Sequence, residues 1–438
     1  MSNQVSVVPN TGISVTAQTI QFIKHLFPVP RSFSIRLWDG SCLSADGQNT
    51  FELILNSPYA LRRIFRPPLE GSAGIAFVRG DFDIEGDIFQ SFRLLDTLGQ
   101  ISLGRIPGLL GEWLRLPTEP VTAHLSRVEA HLDGAHHSKA RDMAAIQYHY
   151  DVGNDFYALF LDKRMIYSCA YFPNGDESLD EAQEKKLDLI CRKLRLRAGE
   201  HLLDIGCGWG GLVLYAAEHY GVSALGVTLS QRQYELAQQR IQSAGLADRV
   251  KVELRDYRDI ASGSFDKISS IGMFEHVGRS QMPKYFSNIY RLLKPGGLFL
   301  NHGISAHPVI ERYGNLLQRL LVQRGSFTMK YIFPDSELMP VSEVNWMAER
   351  AGFEIRDVEN LREHYALTLR QWVTRLQTHR DEAVKIANER LYRTWRLYMA
   401  GAVFGFETGG ININQTLIAK PDHGKVSLPP SRADLYVS

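Results

Sequence analysis

A glycine-rich segment in the middle of the chain has residue types that could hold a small ligand against the backbone. It runs Asp204-Ile-Gly206-Cys-Gly208-Trp-Gly210-Gly211, between a stretch that predicts a strand and one that predicts a helix. Glycines let a ligand approach the backbone closely, and the N-terminus of a helix offers unpaired N–H groups. The spacing Gly-x-Gly-x-Gly is tighter than the Gly-x-Gly-x-x-Gly of dinucleotide-binding loops. A ligand other than a nicotinamide dinucleotide is therefore favoured.

Asp204, ahead of the glycines, makes this segment similar to the donor loop of S-adenosylmethionine-dependent methyltransferases. The next predicted strand departs from the common pattern, because it ends in Thr228 rather than in an acidic residue. Ser230 and Gln233 have the spacing of a helix capping box, and Thr228 or Gln233 could also contact the cofactor. Both roles stay open. The residues predicted to bind S-adenosylmethionine are Tyr167, Ser168, Asp204, Gly206, Gly208, Gly210, Thr228, Leu229, Gln233, Asp256, Tyr257 and Arg258.

Further segments share the residue choices of one family. They are Tyr148-His-Tyr-Asp-Val-Gly-Asn-Asp-Phe-Tyr157, Tyr167-Ser-Cys-Ala-Tyr-Phe172, Gly272-Met-Phe-Glu-His-Val-Gly278, and His302-Gly-Ile304 with Tyr365-Ala-Leu-Thr-Leu369. In content and order they resemble the cyclopropane-fatty-acyl-phospholipid synthases and the related mycolic acid cyclopropane synthases. The similarity extends from Tyr148 to Ala419, and the region before it resembles the phospholipid-acting branch more loosely.

This resemblance implies a reaction and a site. The methyl carbon of S-adenosylmethionine is transferred to the double bond of an unsaturated phospholipid acyl chain, which gives a cyclopropane ring. The intermediate carbocation must be shielded from water and must lose a proton. In the family a bound bicarbonate ion is thought to remove that proton, and the positions that hold it correspond here to Cys169, Glu275, His302, Ile304 and Tyr365. Tyr167 and nearby aromatic rings could stabilise positive charge through their faces.

Each of these residues also has a structural interpretation. Cys169 could be a small buried hydrophobe, Glu275 and His302 could form an ion pair, and Tyr365 could be a core aromatic. Ala402 stands where family members often carry a cysteine, so a thiol cannot act there. The same cation could also give a methylene- or methyl-branched acyl chain, which makes a C-methyltransferase of that kind the alternative. A non-catalytic lipid-binding protein with a methyltransferase fold is the second alternative.

The elements that must position these residues alternate between strands and helices. Apolar runs predict strands at 201–205, 224–228, 250–254, 267–271, 298–302, 353–358 and 411–418. Such alternation indicates a parallel sheet covered by helices on both faces. The predicted fold class is α/β: a seven-stranded Rossmann-like methyltransferase sheet, plus a smaller N-terminal α+β domain. In that smaller domain, strand-like patterns occur at 33–38, 51–55 and 75–79.

We predict an N-terminal domain over residues 1–130 that makes lipid or dimer contacts, a linker over 131–146 and a catalytic domain over 147–438. An insertion at about 308–334 has apolar residues at helical spacing. Together with 147–172 it is predicted to cover the acyl chain, and ordinary core packing is the alternative.

Charge, hydropathy and cysteine spacing limit the kinds of partner and the cellular locations that we expect. The 438 residues carry a formal net charge of +1, so no global field favours nucleic acid. No apolar run approaches the roughly 20 residues of a bilayer span, and no secretory signal precedes the first domain. The four cysteines lack metal-ligand spacing, so no metal is expected. We expect a cytoplasmic enzyme, peripheral to the inner face of the membrane, that acts on phospholipid acyl chains; the resemblance suggests a homodimer.

Overall fold

The structure is a computed structural model that describes residues 14–28, 30–119, 134–135, 137–150, 152–261, 265–307, 326–333 and 335–435. The described residues form two compact units, one holding those up to 119 with 326–327, the other holding the rest. The predicted boundary near residue 130 and most of the predicted insertion at 308–334 lie outside the described residues, so both stay predictions.

The smaller unit contains a four-stranded sheet in the order β2-β1-β3-β4, in which only β1 and β3 are parallel. Its strands are β1 Phe33–Arg36, β2 Cys42–Leu43, β3 Phe51–Leu55 and β4 Phe82–Gly86. Its helices are α1 Val15–Leu26, α2 Ala60–Ile64, α3 Leu69–Arg79, α4 Ile88–Ser91, α5 Leu94–Gly99 and α6 Ile106–Arg115.

The predicted strand at 75–79 is wrong, because these residues form the second half of α3. The helix follows Pro68 and ends at Gly80, whose left-handed φ of 80° is typical of a helix C-cap. Leu69, Ala76 and Phe77 are buried at positions that share one helical face. A five-residue apolar run fits either period, and the helical period of the longer segment prevails.

The larger unit contains the predicted seven-stranded sheet, in the order β10-β11-β9-β8-β5-β6-β7. The strands are β5 His201–Ile205, β6 Ser223–Thr228, β7 Val250–Leu254, β8 Phe265–Ile271, β9 Leu293–Ala306, β10 Glu354–Asn360 and β11 Ile411–Ala419. All pairs are parallel except those made by β11, which is antiparallel to both β9 and β10.

Helices cover both faces of this sheet. The helices of this unit are α7 Lys139–Tyr150, α8 Asn154–Ala158, α9 Leu179–Leu194, α10 Gly211–Tyr220, α11 Gln231–Ser243, α12 Met282–Leu292, α14 Val341–Arg350, α15 Arg362–Thr378, α16 Arg380–Ile386 and α17 Glu389–Glu407. Helix α13, Ser326–Tyr331, has residues 326–327 in the smaller unit and the rest in the larger one. Successive residues of β5 belong to two separate apolar clusters: Leu202 lies in one and Leu203 lies in the other. None of the described helices is long and apolar enough to cross a bilayer.

The order of the strands determines where a ligand can lie. The chain moves outward from β5 through β6 to β7, then returns to form β8 on the other side of β5. Parallel sheets bind ligands at the carboxyl ends of strands beside such a reversal. The turns after β5 and β8 begin at Gly206 and Gly272, which have left-handed φ values of 77° and 64°.

Candidate active site

A cleft opens at the carboxyl ends of β5, β6 and β8. All of the predicted cofactor-binding residues line it except Gly210. Gly210 is the N-cap of α10 and faces helix α11, since a Cβ on it would lie 3.4 Å from the Cβ of Ala237. Its role is thus in packing the loop rather than in lining the cleft. Tyr150, Lys186 and Trp209 also line the cleft and were not predicted from the sequence.

Two glycines shape the loop of the cleft by leaving no room for a side chain. A Cβ on Gly206 would lie 2.9 Å from the Met273 side chain, and φ is 77° there. A Cβ on Gly226, in the next strand, would lie 2.7 Å from the Cys207 sulfur. The loop therefore packs closely against its neighbours and leaves its backbone available to a ligand, as expected for a nucleoside-binding turn.

Opposite charges lie at the inner end of the cleft. Asp204 is buried, and its Oδ1 accepts a hydrogen bond of 2.7 Å from the Ser269 hydroxyl. Burial raises the pKa of Asp204 to about 6. The Nζ of Lys186 donates to the Ser168 hydroxyl at 2.9 Å, and burial lowers the pKa of this lysine to about 8. A buried lysine on α9 leaves no signal in the sequence, because its neighbours follow an ordinary amphipathic pattern.

The side wall is built from β6 and the helix after it. The Ser230 hydroxyl accepts from the Gln233 N–H at 3.4 Å, which is one half of the predicted capping box. The Gln233 side chain instead turns to the cleft, where its Oε1 accepts from the Thr228 hydroxyl at 2.7 Å. On the opposite side the Arg258 guanidinium binds the Asp256 carboxylate and lies 3.0 Å from Asp142.

Glu275 lies deeper, in a short 3-10 turn, Phe274–His276, after β8. Its Oε1 accepts a hydrogen bond of 2.7 Å from the Ile304 N–H, so these two predicted residues are in direct contact. Its Oε2 is buried and has no hydrogen-bond partner among the described residues. Burial raises the pKa of Glu275 to about 7, although the bond from Ile304 opposes this. The carboxyl thus titrates near neutral pH and presents one free oxygen.

His302 precedes Ile304 by two residues on β9, and the two share a face of the sheet. The imidazole is fully buried, and its Nδ1 lies 3.2 Å from the side-chain nitrogen of Gln415. Its Nε2 has no hydrogen-bond partner in the part of the chain that the structure describes. Burial, aided by the charges of Lys186 and Lys193, keeps the pKa of His302 well below its ordinary value. The ring is therefore neutral, and the alternative of an ion pair with Glu275 is not what the structure has.

Tyr365 and Cys169 complete the predicted group. Tyr365 is buried, and electrostatic interactions with Tyr398, Cys169 and Glu275 add to burial in raising its pKa. The Cys169 sulfur contacts the Leu361 carbonyl oxygen at 3.8 Å, at the start of the helix that carries Tyr365. Burial raises the pKa of the Cys169 thiol, which keeps it protonated and unsuited to act as a nucleophile.

Aromatic rings surround Tyr167 beside this group. Its ring stacks on Trp372 with centroids 5.1 Å apart and on His149 at 5.7 Å, and Trp395 lies at 5.9 Å. His149 is neutral, since burial lowers its pKa to about 3, and its Nδ1 is 3.0 Å from the Ile332 carbonyl oxygen. Ring faces of this kind can stabilise a cation where water is excluded. Helical spacing alone makes Trp395 resemble a core residue, so the sequence did not indicate it.

Comparisons with known proteins agree on the type of enzyme. Residues 137–416 match the family model described as mycolic acid cyclopropane synthetase. A probable fatty acid methyltransferase of Pseudomonas putida is 40% identical over 406 residues, which cover 92% of this chain and 95% of that protein. A probable fatty acid methyltransferase of Mycobacterium tuberculosis is 38% identical over 431 residues, covering 96% of this chain and 98% of that protein.

Solved structures match nearly two thirds of the chain. The mycolic acid cyclopropane synthase CmaA1, crystallised with SAH and CTAB, is 36% identical with a TM-score of 0.61, over 64% of this chain and 98% of its own. The cyclopropane synthase MmaA2 from Mycobacterium tuberculosis is 34% identical with a TM-score of 0.60, over the same 64% and 98%.

Proposed function

The chain belongs to the mycolic acid cyclopropane synthetase family of S-adenosylmethionine-dependent methyltransferases, and we propose that it adds the methyl carbon to the double bond of an unsaturated phospholipid acyl chain to form a cyclopropane ring. The observation that carries this proposal is a pair of buried atoms, Glu275 Oε2 and His302 Nε2, that find no hydrogen-bond partner among the residues the structure describes. The Tyr365 ring, which contacts Trp372 of the aromatic cluster, interacts electrostatically with Glu275. Methyl transfer to a nitrogen or oxygen nucleophile forms no carbocation, whereas transfer to an alkene does, so the alkene reaction needs a base in a site that excludes water.

The cleft residues bind and orient the donor, which supplies an electrophilic methyl group when bound. The loop at Gly206 gives close backbone access, and Asp204 presents an acceptor at the inner end. Ser168, held by the buried Lys186 ammonium, orients its hydroxyl towards the same space. Tyr167 lines the cleft and also stacks in the aromatic cluster, which supports a role for its ring between the donor methyl group and the acyl carbon.

Glu275, His302 and Tyr365 hold the group that removes the proton. A bicarbonate ion fits here, because a neutral histidine, a tyrosine hydroxyl and a carboxyl with a free oxygen offer both donors and an acceptor. When bound, such an ion supplies a base close to the cation. Ile304 holds the Glu275 carboxyl in place, and burial raises the affinity of this carboxylate for the proton that the ion takes up and passes on. Aromatic faces exclude water meanwhile, so the cation loses a proton rather than gaining a hydroxyl.

Phospholipid acyl chains at a membrane surface are the partners that this chemistry needs. We infer that the enzyme works from the cytoplasm on the inner face of the membrane, with the smaller unit contacting lipid or a second copy. The support is that an acyl chain must reach the aromatic cluster around Tyr167.

A branched product is the second candidate. Its support is that two relatives that match almost the whole chain are named probable fatty acid methyltransferases. The chemistry differs only in the last step, in which a hydride shift and proton loss from a neighbouring carbon replace ring closure. Both products add one CH2 to the acyl chain.

Incubation of the protein with methyl-labelled S-adenosylmethionine and vesicles of unsaturated phospholipid tests the proposal. We expect label in the acyl chains, with cyclopropane protons in the NMR spectrum of the released fatty acid. Olefinic methylene protons would instead establish the branched product, and saturated phospholipid is the control substrate. Label confined to head groups, or none in the lipid, would refute transfer to an acyl carbon.

A further inference from the structure

A row of polar side chains extends from the His302 imidazole across the sheet. Glu359, Gln415 and His302 are directly paired residues on β10, β11 and β9. Directly opposite residues on antiparallel strands project on the same face with Cβ atoms about 5 Å apart. Lys193, on α9, lies over this face and contacts both Glu359 and Gln415. The four side chains therefore form one connected group that ends at the ion site.

The contacts of Lys193 determine which way the Gln415 amide points. The lysine Nζ lies 2.8 Å from the atom assigned as Gln415 Oε1. An ammonium group has only hydrogens to offer, so the amide atom facing it must be the oxygen. The amide nitrogen is then the atom 3.2 Å from His302 Nδ1. Because that nitrogen can only donate, Nδ1 must accept, and the single hydrogen of a neutral ring must lie on Nε2.

Burial gives this arrangement its strength. Gln415 and His302 have no exposed surface, and Lys193 is 2% exposed, so water cannot replace a missing partner. A neutral imidazole in water exchanges its hydrogen between two nitrogens. Here a hydrogen on Nδ1 would point at the Gln415 amide N–H, so the hydrogen is favoured on Nε2. A buried donor that faces another donor loses its hydrogen bond and cannot regain one from water, so the Nδ1–H tautomer is disfavoured.

We propose that Lys193 and Gln415 are positioning residues that hold His302 in the Nε2–H tautomer, so that the ring donates a hydrogen bond into the space beside Glu275. The ligand accepted there must then present an acceptor atom, as an oxyanion does. The effect on turnover rests on the proposed function, but the tautomer can be measured without donor, lipid or activity.

Nitrogen-15 NMR of the full chain with labelled histidine measures the tautomer, and His302→Gln identifies the signal among the 14 histidines. In the wild type we expect a neutral ring with its hydrogen on Nε2. Gln415→Met, which keeps the volume but removes the amide, should give a mixture of both tautomers. A wild-type ring with its hydrogen on Nδ1 overturns the proposal whatever the variants do.

Asn414→Leu is the matched control. Asn414 is the neighbour of Gln415 on β11, is also buried, and donates to the Ser305 hydroxyl at 2.8 Å on the opposite face of the sheet. Its loss should disturb the strand as much as the loss of Gln415 does, but it should leave the His302 signal unchanged. An equal shift in both variants would mean that Gln415 has only a structural role.

Kinetics then connect the tautomer to catalysis. Gln415→Met should lower kcat about ten- to hundredfold, by analogy with the loss found when partners that orient metal-binding histidines are replaced. KM for S-adenosylmethionine should stay unchanged, because the donor cleft does not include Gln415. Lys193→Met should act in the same direction. An unaltered kcat in both variants overturns the positioning role. If the tautomer is confirmed but the protein modifies no lipid, the proposed function is refuted and the tautomer assignment stands.

Discussion

Replacing Glu275 by glutamine should abolish most turnover and, at alkaline pH, stabilise the protein. The amide keeps the size of the carboxyl and can still accept from the Ile304 N–H. It cannot be ionised and has no appreciable affinity for a proton. The ion site therefore loses its proton-accepting carboxylate. The donor cleft, which does not include Glu275, is left intact.

The effect on stability follows from the pKa of the buried carboxyl. Burial raises this pKa from 4.5 to about 7 in the folded protein. One pKa unit corresponds to about 1.4 kcal/mol, so above pH 7 ionised Glu275 costs the folded state about 3 kcal/mol. The cost is absent well below pH 4.5, where both states are protonated, and it grows as the pH rises to 7. Wild type should therefore lose about 2–3 kcal/mol relative to Glu275→Gln between pH 5 and pH 8.

Urea unfolding followed by tryptophan fluorescence at pH 5 and pH 8 measures this difference, and calorimetry with S-adenosylmethionine measures donor binding. We expect an unchanged Kd for the donor. Lipid labelling should fall at least about a hundredfold, which is the rate contribution of one general base. The variant should be more stable than wild type only at high pH. Glu349→Gln, in an exposed part of α14, controls for the removal of one negative charge.

Two results would refute the reasoning. Turnover equal to that of wild type would mean that Glu275 takes no part in proton removal. A variant whose stability relative to wild type does not change with pH would mean that the buried carboxyl is not held against ionisation, and the account of its strength as a base would fail.

Three further changes test other parts of the site. The pH profile of kcat in the wild type should rise about tenfold per pH unit below 7 and level off above it, because the ionised form of Glu275 is the competent one; a flat profile from pH 5 to pH 8 would contradict this. Asp204→Asn should weaken S-adenosylmethionine binding at least about tenfold in calorimetry, since hydrogen bonds to charged groups contribute about 1.5–3 kcal/mol; an unchanged Kd would remove Asp204 from the donor site. Gly303→Ala should lower the free energy of unfolding by about 1–3 kcal/mol and reduce turnover, because the added methyl meets the Phe274 ring and displaces the turn that carries Glu275. Gly47→Ala is the control, because a methyl there meets no atom within 4 Å. Equal behaviour of the two variants would show that the turn tolerates the methyl.

Local patterns in the sequence were enough to establish the sheet and the family. The seven strands of the larger unit lie at the predicted positions to within a few residues at most ends, because an apolar strand of a parallel sheet is recognisable from its own residues and the glycines that end it. Family membership followed from motifs whose order and content are specific, and the comparisons confirm it. The prediction of a strand at 75–79 was wrong because five residues are too few to show the helical period of α3.

What only the tertiary structure could decide is the state of the groups in the site. The pKa of Glu275 depends on burial, and the burial of one side chain depends on elements from the whole unit. The direction of the Gln415 amide depends on Lys193, which lies 222 residues earlier in the chain, and His302 depends in turn on Gln415. The sequence therefore identified residues that can do this chemistry, but their protonation states arise from contacts between distant segments, which no local pattern encodes.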